Sequence, residues 1–225
     1  MSNKDLLDNI KKLREMTGVG FKDCKIALDE SNGDIEKSIE FLRKKGIAKA
    51  SKKMSRTASE GLVLVKEEQG KISIIEINSE TDFVAKNENF ISFCKELSEL
   101  NFILKGNLEK LNDSKMKNNV LVKDNLVNLI AKIGEKITIR RSDFIDSENS
   151  VNFSYMHTVV KKNLGKIGVL LSLETSMDKE KLNEFGKQLS MHIAASSPLS
   201  IDKDSLDQQI LEKEKEIIKE ELKNS

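Results

Sequence analysis

The sequence predicts an α+β fold with helices at both ends. Three observations carry this. Apolar residues recur at helical spacing through the first 46 residues, the period switches to two after Gly61, and the chain then runs strands, helices, strands, helix without regular βαβ alternation. The expected organisation is a helical module with a basic linker over 1–55, two core halves of similar design over 56–135 and 136–200, and a tail helix over 201–225.

Leu6, Ile10 and Leu13 form the first stripe, which breaks at TGVG (17–20). Phe21, Cys24 and Leu28 form the second, stopped by Asn32 and Gly33; Asp34 can cap a third helix bearing Ile35, Ile39 and Leu42, with Gly46 as its expected end. Three such narrow stripes make a small bundle, marginal alone. RKKGIAKASKKMSR (43–56) then carries seven basic residues and no acid. It reads as a solvated linker helix, or as a patch for an acidic partner.

LVLV (62–65) and ISIIEI (72–77) flank a turn containing Gly70 and predict a hairpin. ISIIEI is apolar at both parities, as a central strand would be. Phe90, Phe93, Leu97, Leu100 and Leu104 predict an amphipathic helix, and a polar, poorly periodic stretch follows over 107–119. Val122, Leu126, Leu129 and Ile133 predict another helix ending at Gly134. Strands are expected at 136–141, 151–160 and 166–175, the first two joined by DSENS (146–150). A helix from about Asp178 carries Leu182, Phe185, Leu189 and Ile193 and stops before Pro198. The tail, 205–223, pairs Glu212 with Lys215, Glu216 with Lys219 and Glu220 with Lys223 at helix-surface spacing. Its Leu211, Ile218 and Leu222 suggest one arm of a helical hairpin or coiled coil.

The 38 basic and 37 acidic residues nearly cancel, against the phosphate neutralisation that coating a nucleic acid needs. Cys24 and Cys94 lack ligand spacing, and with two histidines elsewhere no Cys/His metal site is expected. The chain shows no apolar leader and no membrane-length apolar run. Phosphate-loop, dinucleotide, nucleophile-elbow and zincin motifs are missing, and no carboxylate pair sits in an apolar setting. His157 and His192 read as structural or interface residues. A binding protein with no cofactor, rather than an enzyme, is expected.

SETDFVAKNENF (79–90) places an acid beside an aromatic at the end of a strand. Thr81 or Asp82 can cap the following helix. Phe83, seven residues before Phe90, falls on the core face of one continuous helix; if the helix starts near Asn87, Phe83 is stranded outside it. An exposed aromatic beside a carboxylate has the character of a protein-binding wedge.

LREMTGVGFKDCKIAL (13–28) resembles the N-terminal signature of the translation elongation factor Ts family, and EINSETDFVAKN (76–87) its second signature. AKIGEKITIRR (131–141), YMH (155–157), GKIGVL (165–170) and MHIAASSP (191–198) follow in the family's order, so the resemblance covers essentially the whole chain. It implies a cytoplasmic bacterial guanine-nucleotide exchange factor for elongation factor Tu, with GDP or GTP on the partner. It also implies that the N-terminal module resembles a ubiquitin-associated domain and that two related core halves carry an inserted helical hairpin.

Carried over by position, Thr81, Asp82, Phe83 and Val84 would meet the partner, the phenylalanine wedging near its magnesium site. Ile133 and His157 match further contact positions, Lys25 and Lys53 match basic ones, and Met191 and His192 lie in another contact region. Ser79 stands where many relatives have cysteine, and 158–166 is longer than the expected turn. Relatives usually continue past the position of Ser225 into a second hairpin arm and a segment completing the C-terminal half; the tail would be the first arm, allowing a homodimer. Neither direct nucleic-acid nor membrane contact is implied. The alternative function is a non-catalytic adaptor using the helical module and tail; RNA binding through 43–56 is a third reading.

Overall fold

The computed structural model describes residues 3–17, 19–147 and 149–224. Gly18, in the expected first break, and Glu148, in the expected 146–150 connection, lie outside the described residues. Helices α1 (Asn3–Thr17), α2 (Phe21–Glu30) and α3 (Ile35–Ser51) form the N-terminal bundle. Their stripes meet at Ile10, Leu13, Cys24, Ala27, Leu28 and Leu42. Asp34 caps α3, accepting from the Lys37 N–H at 3.0 Å, and the Ser38 hydroxyl donates to the Ala27 carbonyl at 3.2 Å, tying α3 to α2. Phe21 opens α2 and remains about half exposed, so the buried line starts at Cys24.

The third helix does not end at Gly46. It runs on to Ser51, and Gly46 faces helix α7 (Val122–Ile133), where an added Cβ would lie 3.4 Å from the Ala131 Cβ. The glycine is therefore a close-approach residue and not a terminator. Arg43 pairs with Asp124 of α7 at 2.8 Å, and Ala50 joins the main core. The basic segment thus begins as a helix laid against the core.

Strands β1 (Glu60–Glu68) and β2 (Lys71–Ser79) form the expected hairpin. Gln69 and Gly70 both have positive φ, the turn that matches strand twist. With β3 (Ile137–Ile145), β4 (Ser150–Lys161) and β5 (Leu164–Glu174) they build an antiparallel sheet of order β3-β2-β1-β5-β4. β3, expected with the C-terminal half, pairs along β2. The central position expected for β2 is observed. Ile75 and Ile77 face the main core with Leu62, Leu64 and Ile137, while Ile74 on the opposite side lies against β5, where Gly168 approaches it and Val63 closely.

Helix α5 (Glu88–Ile103) covers the core face through Phe90, Phe93 and Leu97, after the single turn α4 (Asp82–Ala85). The stretch expected to be irregular contains a short helix, α6 (Leu108–Asn112); Leu111 and Met116 enter the core and anchor it.

Residues 158–166 do not form a long turn. Strand β4 reaches Lys161 and β5 starts at Leu164, with a register shift between Val159 and Lys161 and a positive φ at Thr158. The extra length is absorbed as an irregular strand extension.

Helix α8 (Lys179–Ser196) packs on this hairpin, but through Gly186 and Ser190. Phe185, expected on the buried stripe, is 55% exposed. The missing side chain of Gly186 admits the Phe153 ring, and that contact rotates the buried line by one residue. Helix α9 (Gln208–Asn224) carries the predicted Glu212–Lys215 pair at 2.6 Å and leaves Ile217, Ile218 and Leu222 exposed.

Candidate functional site

The site is built where β2 runs out. Ser79, the last strand residue, is buried and donates its hydroxyl to the Thr81 carbonyl at 3.0 Å. Thr81 is extended, with φ −126° and ψ 159°, and occupies the N-cap position of α4 without a side-chain capping bond. Its N–H and hydroxyl instead donate to the Glu135 carboxylate at 3.0 and 2.9 Å.

One helical turn follows, and its four residues divide by direction. Val84, 4% exposed, and Ala85 point into the main core. Asp82 and Phe83 point out, and Phe83, 77% exposed, is the most exposed phenylalanine among the described residues. The turn ends because Asn87 starts a new helix: its side-chain oxygen accepts from the N–H groups of Asn89 at 2.9 Å and Phe90 at 3.4 Å. Phe83 is thereby removed from the stripe of Phe90, which resolves the two readings open from the sequence.

The exposed group has defined electrostatics. Lys86 Nζ lies 2.8 Å from Asp82 Oδ2 and 5.9 Å from the centroid of the Phe83 ring. The Lys86 hydrogen bond, with the Lys86 and Lys166 charges behind it, holds the Asp82 carboxyl below its ordinary range. An anion, a cation and a bare aromatic face therefore share one knob on the surface. Its two charged groups are paired with each other on the surface, and among the described residues no His, Cys, Asp and Glu cluster could hold a metal ion. Its chemistry is that of contact: an apolar wedge with a charged flank.

Ile133 ends α7, partly buried against the main core, two residues before Glu135, so the Thr81 bonds tie it to the same region. The other expected contact residues stand on separate elements. His157 is exposed on β4, with the Tyr155 hydroxyl 3.0 Å from its Nδ1. Met191 and His192 are exposed on α8, Lys25 is exposed on α2, and Lys53 is partly exposed after α3. Val84 belongs to the expected segment but anchors it from below.

Sequence reasoning missed the acids behind the turn. Glu80 accepts from the Lys136 N–H and from the Arg56 guanidinium at 3.2 Å. The Lys136 N–H bond foremost, and then Arg56, lower its carboxyl pKa against the opposing effect of burial. Residues 54 positions apart carry no spacing signal; the only hint was that both segments belong to motifs of the resemblance.

A family model described as "Elongation factor TS" matches residues 80–225. The chain is 45% identical over 212 residues to "Elongation factor Ts" of Methylorubrum populi, an alignment covering 94% of this chain and 69% of that protein. It is 42% identical over 219 residues to the protein of that name in Maricaulis maris, covering 96% and 70%. It is 45% identical over 215 residues to the one in Rickettsia felis, covering 95% and 69%.

Proposed function

The chain belongs to the elongation factor Ts family, and from that premise we propose that it is a guanine-nucleotide exchange factor for elongation factor Tu in the cytoplasm. It binds the GDP form of that GTPase, hastens GDP release and leaves the site free for GTP. It makes and breaks no covalent bond, and the nucleotide and magnesium ion belong to the partner.

The observation that carries this reading is the outward Phe83 beside Asp82 on a turn anchored from beneath by Val84 and Ala85. A wedge must keep its ring out of its own core until the partner covers it. In the proposed complex Phe83 enters the GTPase near its magnesium site. Magnesium bridges the nucleotide phosphates and neutralises their charge. Displacing it leaves that charge uncompensated, and GDP departs faster. Ile133 extends the contact beside the turn; His157, Met191 and His192, with Lys25 and Lys53, add attachment on other elements.

Binding and release are coupled reciprocally. The factor by which the exchange protein weakens GDP binding is the factor by which GDP weakens the exchange protein's hold. The wedge must therefore favour the nucleotide-free state and not merely bind tightly. Full burial of a phenylalanine is worth about 1.5–3 kcal/mol, enough to bias that equilibrium.

The test is release of fluorescent GDP from elongation factor Tu into excess unlabelled GDP, with and without the chain. Acceleration at catalytic amounts of the chain is expected. An unchanged rate contradicts the reading, and a complex that forms yet ignores added GDP identifies an adaptor.

A further inference from the structure

We propose that Glu135 and Glu80 are positioning residues, forming a carboxylate clasp that fixes the turn bearing Phe83 to the loop after Ile133. The proposal rests on the exchange reading for its purpose, though not for its geometry.

The turn α4 has four residues, too few to persist by its own backbone bonds. Its N-cap side chain is not used for capping. What precedes it is held instead from the far side of the chain: Glu135 takes both the Thr81 N–H and the Thr81 hydroxyl. Bonds to an ionised acceptor are among the stronger kinds, and two from one residue set its orientation as well as its position.

The grip is returned. Glu80, next to Thr81, takes the N–H of Lys136, next to Glu135. The two segments therefore exchange acids, each carboxylate reaching the other's backbone. A third segment closes the ring. Lys136 Nζ donates to the carbonyls of Met54 at 2.7 Å and Arg56 at 2.8 Å, and the Arg56 guanidinium returns to Glu80 at 3.2 Å.

The clasp binds three stretches far apart in sequence through polar contacts, beside an apolar core built from other side chains, Phe90, Leu97, Ile75 and Ile77 among them. Its effect falls on the exposed residues that follow. A ring that is 77% exposed gains little orientation from packing, so the backbone beneath it must supply that orientation. Preorganising it removes an ordering cost from association. Ile133 ends its helix two residues before Glu135, so one device sets the spacing of two contact positions.

The chain contains no tryptophan, so Phe83→Trp places a lone reporter on the turn. Time-resolved anisotropy of that indole is expected to show restricted local motion. Adding Thr81→Val, which keeps the side-chain shape and loses the hydroxyl, or Glu135→Ala should increase the amplitude of fast motion. In the Phe83 background the same changes should lower the GDP-release rate at sub-saturating chain about 3- to 10-fold, with the chain still folded at the assay temperature. Glu135→Gln, whose amide oxygen still accepts, should fall between wild type and Glu135→Ala.

Unchanged anisotropy in both variants overturns the proposal, as does an unchanged release rate alongside loosened anisotropy. Should Glu135→Ala unfold, Thr81→Val decides alone. If the wild-type chain does not accelerate release at all, the exchange reading fails, and anisotropy still judges the clasp as a structural device.

Discussion

Phe83→Ala removes the wedge and little else. The ring is 77% exposed in the free chain, so truncation takes almost nothing from the core, and stability should change by less than about 0.5 kcal/mol. In the proposed complex the same ring is covered. Three quarters of a full phenylalanine burial is about 1–2 kcal/mol, or roughly 6- to 30-fold in the step that buries it. The assay is stopped-flow release of fluorescent GDP from elongation factor Tu over a titration of the chain, alongside urea midpoints of the free protein. Loss of acceleration with an intact midpoint is expected. A midpoint shift equivalent to about 2 kcal/mol or more of lost stability, on the order of a core truncation, would refute the outward placement; undiminished exchange would refute the wedge.

Gly186→Ala puts a Cβ 2.6 Å from the Phe153 ring carbons, so it should cost about 1–3 kcal/mol and lower the melting temperature by several degrees; an unchanged melting curve contradicts the packing of α8 on β4. Glu76 tests the sheet electrostatics. Burial would raise its pKa, but bonds from Arg141, Asn78 and Arg140 outweigh that and lower it from the ordinary 4.5. The unfolded chain therefore takes up this proton at higher pH than the folded one, so the contribution is present above 4.5 and drains as pH falls through the lowered value. Urea midpoints of wild type and Glu76→Gln should differ at pH 7 and converge in that acid window, and a constant gap would contradict the linkage.

The alternation of periods was enough to read the helical bundle, the first hairpin, the helices beginning near Glu88 and Val122, and the tail. Those features depend on local pattern. Two of the corrections arise where distant segments meet. Gly46 has the look of a helix stop until Ala131 is opposite it, and Phe185 has the look of a core residue until Phe153 occupies the space over Gly186. The site divides the same way. Phe83 lies at a spacing from Phe90 that permits either burial or exposure, and the Asn87 cap decides the matter by restarting the helix. Asp82 and Phe83 were visible as a pair because they are adjacent. Glu135 was not visible, because one acid among many has no pattern until Thr81 lies beside it.

The most direct test of ion displacement is to measure GDP release from elongation factor Tu, with and without the chain, at millimolar magnesium and again with magnesium chelated. If the Phe83 turn acts by expelling the ion, the acceleration is large when magnesium is present and shrinks sharply once chelation has already removed it. The same fold-acceleration under both conditions would contradict the account.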